Sequence, residues 1–174
     1  INNPTAKGRP TLLHQPVTYR FNTKGIVFKA PTPHQILQQY RDQKEYALMS
    51  SYHATEHLMI EATNPITGGV AEEMGGISIG TTGLIFIYDG AVGGNGATKA
   101  LYDRFEEAHK KALEIVEGCG CTSESGCPRC TYSYKCGNNN EFLLKKGAIE
   151  VLRKMITTKI YVDLEAILYE KPIV

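Results

Sequence analysis

The stretch Cys119-Gly-Cys-Thr-Ser-Glu-Ser-Gly-Cys127-Pro-Arg-Cys130-Thr-Tyr-Ser-Tyr-Lys-Cys136-Gly137 decides how this chain is organised, because all five of its cysteines lie there. Cys127 and Cys130 are separated by two residues, the spacing with which a tight turn directs two thiolates at one metal ion. Five residues separate Cys121 from this pair, and five more separate the pair from Cys136. The spacing predicts a tetrahedral site of four thiolates, with metal–sulfur distances of about 2.3 Å.

We expect a structural Zn²⁺ held by four of the five cysteines. The candidates are Cys119, Cys121, Cys127, Cys130 and Cys136. One thiol is then left over, and we expect it to be Cys119, which could also replace Cys121 or Cys136, or lie buried as a small apolar residue. An iron–sulfur site would use four thiolates as well. A disulfide cluster needs an oxidising compartment, and we expect it least, since no stretch has the pattern of a secretory signal.

The same region carries a family resemblance. The segments Cys119-Gly-Cys121, Gly126-Cys-Pro-Arg-Cys130 and Lys135-Cys-Gly-Asn-Asn-Asn140, followed by an amphipathic helix, resemble the four-cysteine region at the C-terminus of certain superfamily 2 DNA helicases. These helicases form the mitomycin-repair-factor and Hrq-type RecQ-like group. The resemblance covers roughly residues 17–158.

The resemblance implies a zinc-binding accessory domain of an ATP-dependent 3′–5′ helicase in DNA repair. Its expected partners are the motor domains of the same polypeptide and, weakly, single-stranded DNA. No Walker A, DEAH-type box or arginine-finger motif is visible, so we expect this fragment alone not to be an enzyme. The first residue is Ile, which suggests a piece of a longer protein, with residues 1–16 as a linker arm and residues 17–174 as the domain.

Charge is distributed unevenly along the chain. The formal net charge is only +1, but residues 119–160 hold seven Lys or Arg against three Glu, a local +4. Basic and aromatic side chains alternate in the cysteine loop, the mixture that pairs phosphates and stacks bases. The candidate nucleic-acid contacts are Arg129, Tyr132, Tyr134, Lys135, Lys145 and Lys146. The alternative is that the tyrosines pack against the flanking helices.

Two further motifs have an open role. His53-Ala-Thr-Glu56-His57 places two histidines on one helix face, but Glu56 is misplaced for a zinc-protease base and no third ligand is apparent. We therefore favour histidines packed on the apolar face. The turn from Asp89 to Gly96, which includes Asn95, joins a predicted strand to a helix; it could touch a phosphate, bind a nucleotide, or be a tight connection that needs glycine.

The hydrophobic patterns predict an α/β (α+β) fold, in which a small central sheet with a β-hairpin is packed by long helices and stapled by the zinc loop. The expected hairpin has its turn at residues 22–25, and a second one has its turn at residues 80–83. Helices are expected at 35–41, from 44 to a stop at Asn64-Pro65, at 97–117, and at 141–156 with Asn138 to Asn140 as its cap. Residues 160–169 fit a strand or a helix, and we lean to a helix.

Two other functions compete with the helicase-associated domain. One is a zinc-ordered protein-interaction module without DNA contact, and the other is a metal-dependent hydrolase that uses His53, Glu56, His57 and Asp89. No apolar run approaches the ~20 residues of a membrane span, so we expect no membrane partner. We expect a cytoplasmic, reducing location.

Overall fold

The computed structural model describes the backbone of residues 17–69 and 73–173 and the side chains of residues 20–69 and 73–164. The predicted linker arm, residues 1–16, lies outside the described residues. The elements in chain order are β1 (Val17–Lys29), α1 (His34–Gln39), α2 (Lys44–Thr67), β2 (Met74–Ser78), β3 (Leu84–Asp89), α3 (Ala97–Asp103), α4 (Phe105–Gly118), α5 (Lys145–Thr157) and β4 (Val162–Ile173). The predicted α+β class is confirmed.

The four strands form one antiparallel sheet in the order β2-β3-β1-β4. Cross-strand partners on its inner face are both apolar and buried, as in the pairs Ile26 with Ile87 and Phe28 with Ile85. Because side chains alternate along a strand, this register turns one face of the sheet toward the helices. The expected antiparallel pairing of β2 with β3 across residues 80–83 is confirmed.

The first predicted hairpin is wrong. Residues 17–29 form one continuous strand with no turn at residues 22–25, and they pair with β4 from Val17 to Phe28. The polar Thr23 in the middle of β1 holds the turn that follows β3. Its Oγ1 donates to the Asp89 and Ala91 carbonyls at 2.7 and 3.0 Å. Long-range pairing therefore overrides the local turn signal.

The prediction for the segment that pairs with β1 is also wrong. Residues 162–173 form the strand β4 rather than the helix that we favoured. An apolar run without a clear period does not distinguish a strand from a helix, and the free edge of β1 decides the outcome here.

Helix boundaries differ from the predictions in three places. The helix expected over residues 97–117 is broken at Arg104, whose non-helical φ of −121° and ψ of 31° separate α3 from α4. Helix α2 continues one turn past Asn64 and includes Pro65, ending at Gly68 in the left-handed region with φ of 70°. Helix α5 begins at Lys145, not at residue 141, so Asn138 to Asn140 do not cap it.

Three helices cover the inner face of the sheet. Leu58 of α2, Ala112 of α4 and Leu152 of α5 belong to one buried cluster with the apolar residues of β1 and β3. Helix α5 lies directly on α2, since a Cβ added to Gly147 would be 1.8 Å from Ser51 Oγ. None of the described helices is both long and apolar enough to cross a membrane.

Candidate metal centres

The cysteine-rich loop connects α4 to α5 and contains neither helix nor strand between Cys119 and Leu144. Its first half is a chain of tight turns, in which Cys130 N donates to the Cys127 carbonyl at 2.9 Å. The loop is tied to its surroundings at its end, where Leu144 N donates to the Ser50 carbonyl of α2 at 3.0 Å. These turns bring together cysteines that are distant in sequence.

Four sulfur atoms meet at one point of this loop. The Sγ atoms of Cys119, Cys121, Cys127 and Cys130 all lie within 4.8 Å of one another. The separations are 3.5 Å between Cys119 and Cys127, 3.8 Å between Cys121 and Cys130, and 3.9 Å between Cys127 and Cys130. Sulfur atoms that share a tetrahedral ion at about 2.3 Å are about 3.8 Å apart. The group therefore fits a four-thiolate zinc site, which we call the four-cysteine centre.

The groups around the four-cysteine centre are hydrogen-bond donors. Cys127 N donates to Cys130 Sγ at 3.3 Å. Lys145 is only 8% exposed, and its ammonium group donates to the carbonyls of Cys119 and Cys121 at 2.8 and 3.1 Å and to Cys121 Sγ at 3.3 Å. A buried cation needs a compensating negative charge. Four thiolates on a divalent ion carry such an excess, so Lys145 fits a metal-bound centre.

The thiols differ in their proton affinity. The backbone N–H of Cys121, followed by the Cys127 thiol, lowers the pKa of Cys119 to about 7, whereas burial raises the pKa of Cys130 to about 11. A metal ion binds thiolates, so its binding must release the proton of Cys130 even at neutral pH. Metal affinity at this centre is therefore expected to fall as the pH falls.

The fifth thiol stands apart from the four-cysteine centre, and it is not the one that the sequence suggested. Cys119 lies within the centre, whereas Cys136 lies beside His53 and His57 of α2. Cys136 Sγ is 3.4 Å from His53 Nε2 and accepts a hydrogen bond from Asn140 N at 3.3 Å. Asn140 has a positive φ of 59°, and its side-chain amide pairs with both backbone groups of Ser133. The asparagines thus shape the loop around Cys136.

The two histidines share one face of α2, as predicted, but this face is directed at the loop and not at the core. Their rings are 4.5 Å apart at 66°. Burial, together with the charge of His53, lowers the pKa of His57 to about 4 against the opposing effect of the Thr131 carbonyl. Burial also lowers the pKa of His53. Both rings are accordingly neutral at pH 7.

Glu56, the acid of the same motif, is buried between α2 and β2. It lines a cleft of about 780 Å³ together with His53 and His57, and its side chain is directed at Gly76 of β2. Burial raises the pKa of Glu56 to about 8, with hydrogen bonds to Ser78 opposing the shift. Its carboxyl group is therefore neutral at pH 7.

The glycine-rich turn after β3 is a tight connection closed by its own carboxylate. Asp89 is fully buried, and its side chain accepts hydrogen bonds from the backbone N–H groups of Asn95, Gly96 and Thr98 at 3.0, 3.1 and 2.8 Å. A Cβ on Gly94 would approach Asp89 Oδ2 to 2.9 Å, and the φ of Gly94 is 86°. The amides that could hold a phosphate are thus already used. Asp89 is not part of the histidine cleft, so the hydrolase set is not brought together.

The candidate nucleic-acid residues separate into two groups. Lys145 is buried against the four-cysteine centre, and half-buried Tyr132 packs on the core with its hydroxyl 3.0 Å from Ser125 Oγ. Tyr134 is fully exposed to solvent. Arg129, Lys135 and Lys146 are exposed as well. Only the second group can reach a ligand in solvent.

Two contacts within these groups differ from the sequence-based expectations. Lys145 was assigned to phosphate although it supports the cysteines, and Cys136 was not connected with the histidines. The available signal was the count of cysteines, because a fifth thiol exceeds what one tetrahedral ion needs. The third candidate ligand beside His53 and His57, Cys136, comes from the cysteine stretch itself.

Three comparisons relate the chain to known proteins. A sequence model of the family described as MZB, the MrfA Zn-binding domain, matches residues 55–131. An uncharacterized protein of Methanocaldococcus jannaschii is 41% identical over 113 residues, which are 60% of this chain and 99% of that protein. The crystal structure of the DUF1998 helicase MrfA bound to DNA is similar over 64% of this chain, with a TM-score of 0.49 and 22% sequence identity. This chain covers 15% of the length of that helicase chain.

Proposed function

This chain belongs to the family of MrfA Zn-binding domains, and we propose that it serves as the zinc-ordered accessory domain of an ATP-dependent 3′–5′ DNA helicase in DNA repair. Within such a protein it would pack on the motor domains of the same polypeptide and help to hold single-stranded DNA. The family membership and the sequence resemblance support the helicase setting. The exposed side chains of the cysteine loop support the contact with DNA.

We further propose that the ion is zinc and that its ligands are Cys119, Cys121, Cys127 and Cys130. The spacing of the sulfur atoms supports this set, because it fits one tetrahedral ion. A bound zinc ion would contribute folding free energy on the order of 10 kcal/mol. With four protein ligands the ion has no open position for a substrate, so its role is structural.

The observation that carries the DNA proposal is the complete exposure of Tyr134 next to Lys135. A large aromatic ring fully exposed on a loop gains nothing from packing within the domain. Bases of single-stranded nucleic acid stack on such rings without regard to sequence, and neighbouring cations pair with the phosphates. Arg129 and Lys135 would supply that charge from the same loop.

The test is a titration of a fluorescein-labelled oligothymidine with the zinc-loaded chain, followed by fluorescence anisotropy at several salt concentrations. Loss of one base stack is worth about 1–3 kcal/mol, so Tyr134→Ala should weaken binding by roughly 5- to 150-fold. The matched control is Tyr161→Ala, which removes another exposed tyrosine that lies beside a lysine, Lys159, outside the loop. It should leave the affinity unchanged.

The charge contribution is tested separately by the double variant Arg129→Ala with Lys135→Ala. Each lost phosphate contact should make the slope of log K against log salt shallower by about 0.7. A wild-type titration that stays flat at low salt would remove the DNA role and leave a protein-docking module as the function. Equal losses for Tyr134→Ala and Tyr161→Ala would contradict the assignment to the cysteine loop.

A further inference from the structure

We propose that His53, His57 and Cys136 form a second metal site, which binds one borderline-soft divalent cation such as zinc and opens on the cleft beside α2. The ligand atoms of the three residues lie within 4.8 Å of one another. None of them belongs to the four-cysteine centre. The site does not depend on the proposed DNA contact.

The hydrogen bonds from Nδ1 of each imidazole to a backbone carbonyl leave Nε2 available to bind a metal ion. His53 Nδ1 lies 3.1 Å from the Phe142 carbonyl oxygen, and His57 Nδ1 lies 2.7 Å from the Thr131 carbonyl oxygen. A carbonyl can only accept, so each Nδ1 carries the proton and each Nε2 keeps its lone pair. Metal-ligating histidines are oriented by this kind of bond from the second ring nitrogen to a backbone carbonyl.

The distances suit a shared ion. His53 Nε2 and Cys136 Sγ are 3.4 Å apart. A tetrahedral zinc ion with Zn–N of about 2.05 Å and Zn–S of about 2.3 Å would place these atoms about 3.6 Å apart. Asn140 N also donates to the sulfur, as expected for a thiolate ligand that accepts hydrogen bonds. Both carbonyl partners of the histidines belong to the loop, so an ion here would fasten the second half of the loop to α2.

The donor set selects the class of metal. Two imidazoles and one thiolate suit zinc, cobalt(II) and similar ions, whereas magnesium and calcium prefer oxygen ligands. Within the described part of the chain, no fourth His, Cys, Asp or Glu joins the group. A tetrahedral ion would then keep one position for water on the cleft side. This distinguishes the site from the closed four-cysteine centre.

The experiment is a cobalt(II) titration of the metal-free chain, with bound metal counted by elemental analysis and the ligands followed by visible absorption. The wild type should bind two ions per chain, and His53→Ala and Cys136→Ser should each bind one while keeping the intense thiolate absorption of the four-cysteine centre. His34→Ala, which removes an exposed histidine of α1, is the matched control and should bind two. Circular dichroism checks that each variant is folded.

The converse variant separates this inference from the proposed zinc loop. Cys121→Ser should lose the thiolate-rich absorption and retain the ion at His53, His57 and Cys136. A wild-type chain that binds a single ion, unchanged by Cys136→Ser, would show that Cys136 and His53 share only a thiol–imidazole hydrogen bond. Loss of the four-cysteine absorption in a folded Cys136→Ser variant would also overturn the second site.

Discussion

The sheet with its covering helices differs from residues 119–144 in what each region buries. The core buries aliphatic side chains such as Ile26, Leu58, Ile87 and Leu152, all of which are at most 1% exposed. Apolar burial at roughly 25 cal/mol per Å² is enough to order such a region. The loop has no helix or strand, and within it only Leu143 and Leu144 are fully buried large aliphatic residues. It is held by sulfur atoms and polar bonds.

Because they are held by different interactions, the two regions should unfold under different conditions. Loss of metal or of its polar support should disorder the loop first, because little apolar burial remains to hold it. Loss of core volume should unfold the domain without altering the ligands. Helix α2 belongs to both regions, since one side carries Leu58 and another carries the histidines that contact the loop.

The largest effect is expected from Cys130→Ser, which removes one of the four proposed ligands, a thiol that is 2% exposed. A structural zinc site contributes folding free energy on the order of 10 kcal/mol, which this variant should lose. We expect loss of the cobalt(II)–thiolate absorption and fast hydrogen exchange over residues 119–144. The control Cys136→Ser should retain that absorption. A Cys130→Ser protein with an unchanged spectrum would break the comparison.

Leu58→Ala should act on the other region. Truncation of a fully buried leucine costs about 2–5 kcal/mol through lost burial and the cavity that remains. Urea unfolding followed by circular dichroism should show this loss, while the folded variant keeps its full metal content. Met49→Ala, on the same helix but 41% exposed, should change stability by less than about 1 kcal/mol. Release of metal from folded Leu58→Ala would mean that the regions are not separable.

Lys145→Met should weaken the four-cysteine centre without removing a ligand. The change leaves two carbonyls and one sulfur without their donor, and it removes the cation that balances the thiolates. Loss of such a supporting group typically lowers metal affinity by about 10- to 100-fold. Competition with a chromogenic chelator measures this. Lys146→Met, at the adjacent exposed position, should match the wild type, and an equal loss in both variants would refute the role of Lys145.

The smallest expected effect concerns a contact outside the loop, between α5 and α1. Glu150 accepts hydrogen bonds from Gln35 N and Ile36 N at 3.0 and 2.9 Å and pairs with Lys154 at 3.1 Å. Burial raises its pKa, but these partners outweigh burial and hold the pKa below its ordinary value. Glu150→Gln should therefore cost about 1 kcal/mol at pH 7.

The pH dependence of that variant follows from the sign of the shift. A depressed carboxyl pKa adds stability above the unfolded value of 4.5, and the gain is lost as the pH falls through the lower folded value. Urea unfolding at pH 7 and below pH 4 should show the difference between wild type and Glu150→Gln shrinking in acid. Glu114→Gln, at an exposed surface pair with Lys111, serves as the control. A difference that grows in acid would contradict this assignment.

The fold was predictable from sequence where the pattern is local and repeated. The last helix shows this, because Ala148, Val151, Leu152 and Met155 recur at helical spacing and all four are buried. The sheet edge was not predictable in this way. Residues 22–25 have the composition of a turn, and residues 162–173 have no clear hydrophobic period. Both become strands because they pair with each other, which no local pattern predicts.

In the candidate site, too, the local features were predictable from sequence and the long-range contacts were not. Cysteine spacing is local and predicted four clustered thiols, which the structure brings together, but Cys136 and not the expected Cys119 is the one left out. The contact of His53 with Cys136 spans 83 residues, and no local pattern contains it. The burial of Lys145 likewise depends on where α5 begins, which the sequence placed four residues too early. Tertiary placement, not residue type, determined both of these contacts.

We expect Cys119, Cys121, Cys127 and Cys130 to hold one zinc ion that orders the loop. Zinc-edge X-ray absorption of the folded Cys136→Ser variant tests this claim, because the substitution removes a ligand of the second site and leaves the four-cysteine centre complete. We expect one zinc per chain with four sulfur scatterers at about 2.3 Å. Nitrogen or oxygen atoms in that first shell, or a folded chain without bound zinc, would contradict the claim.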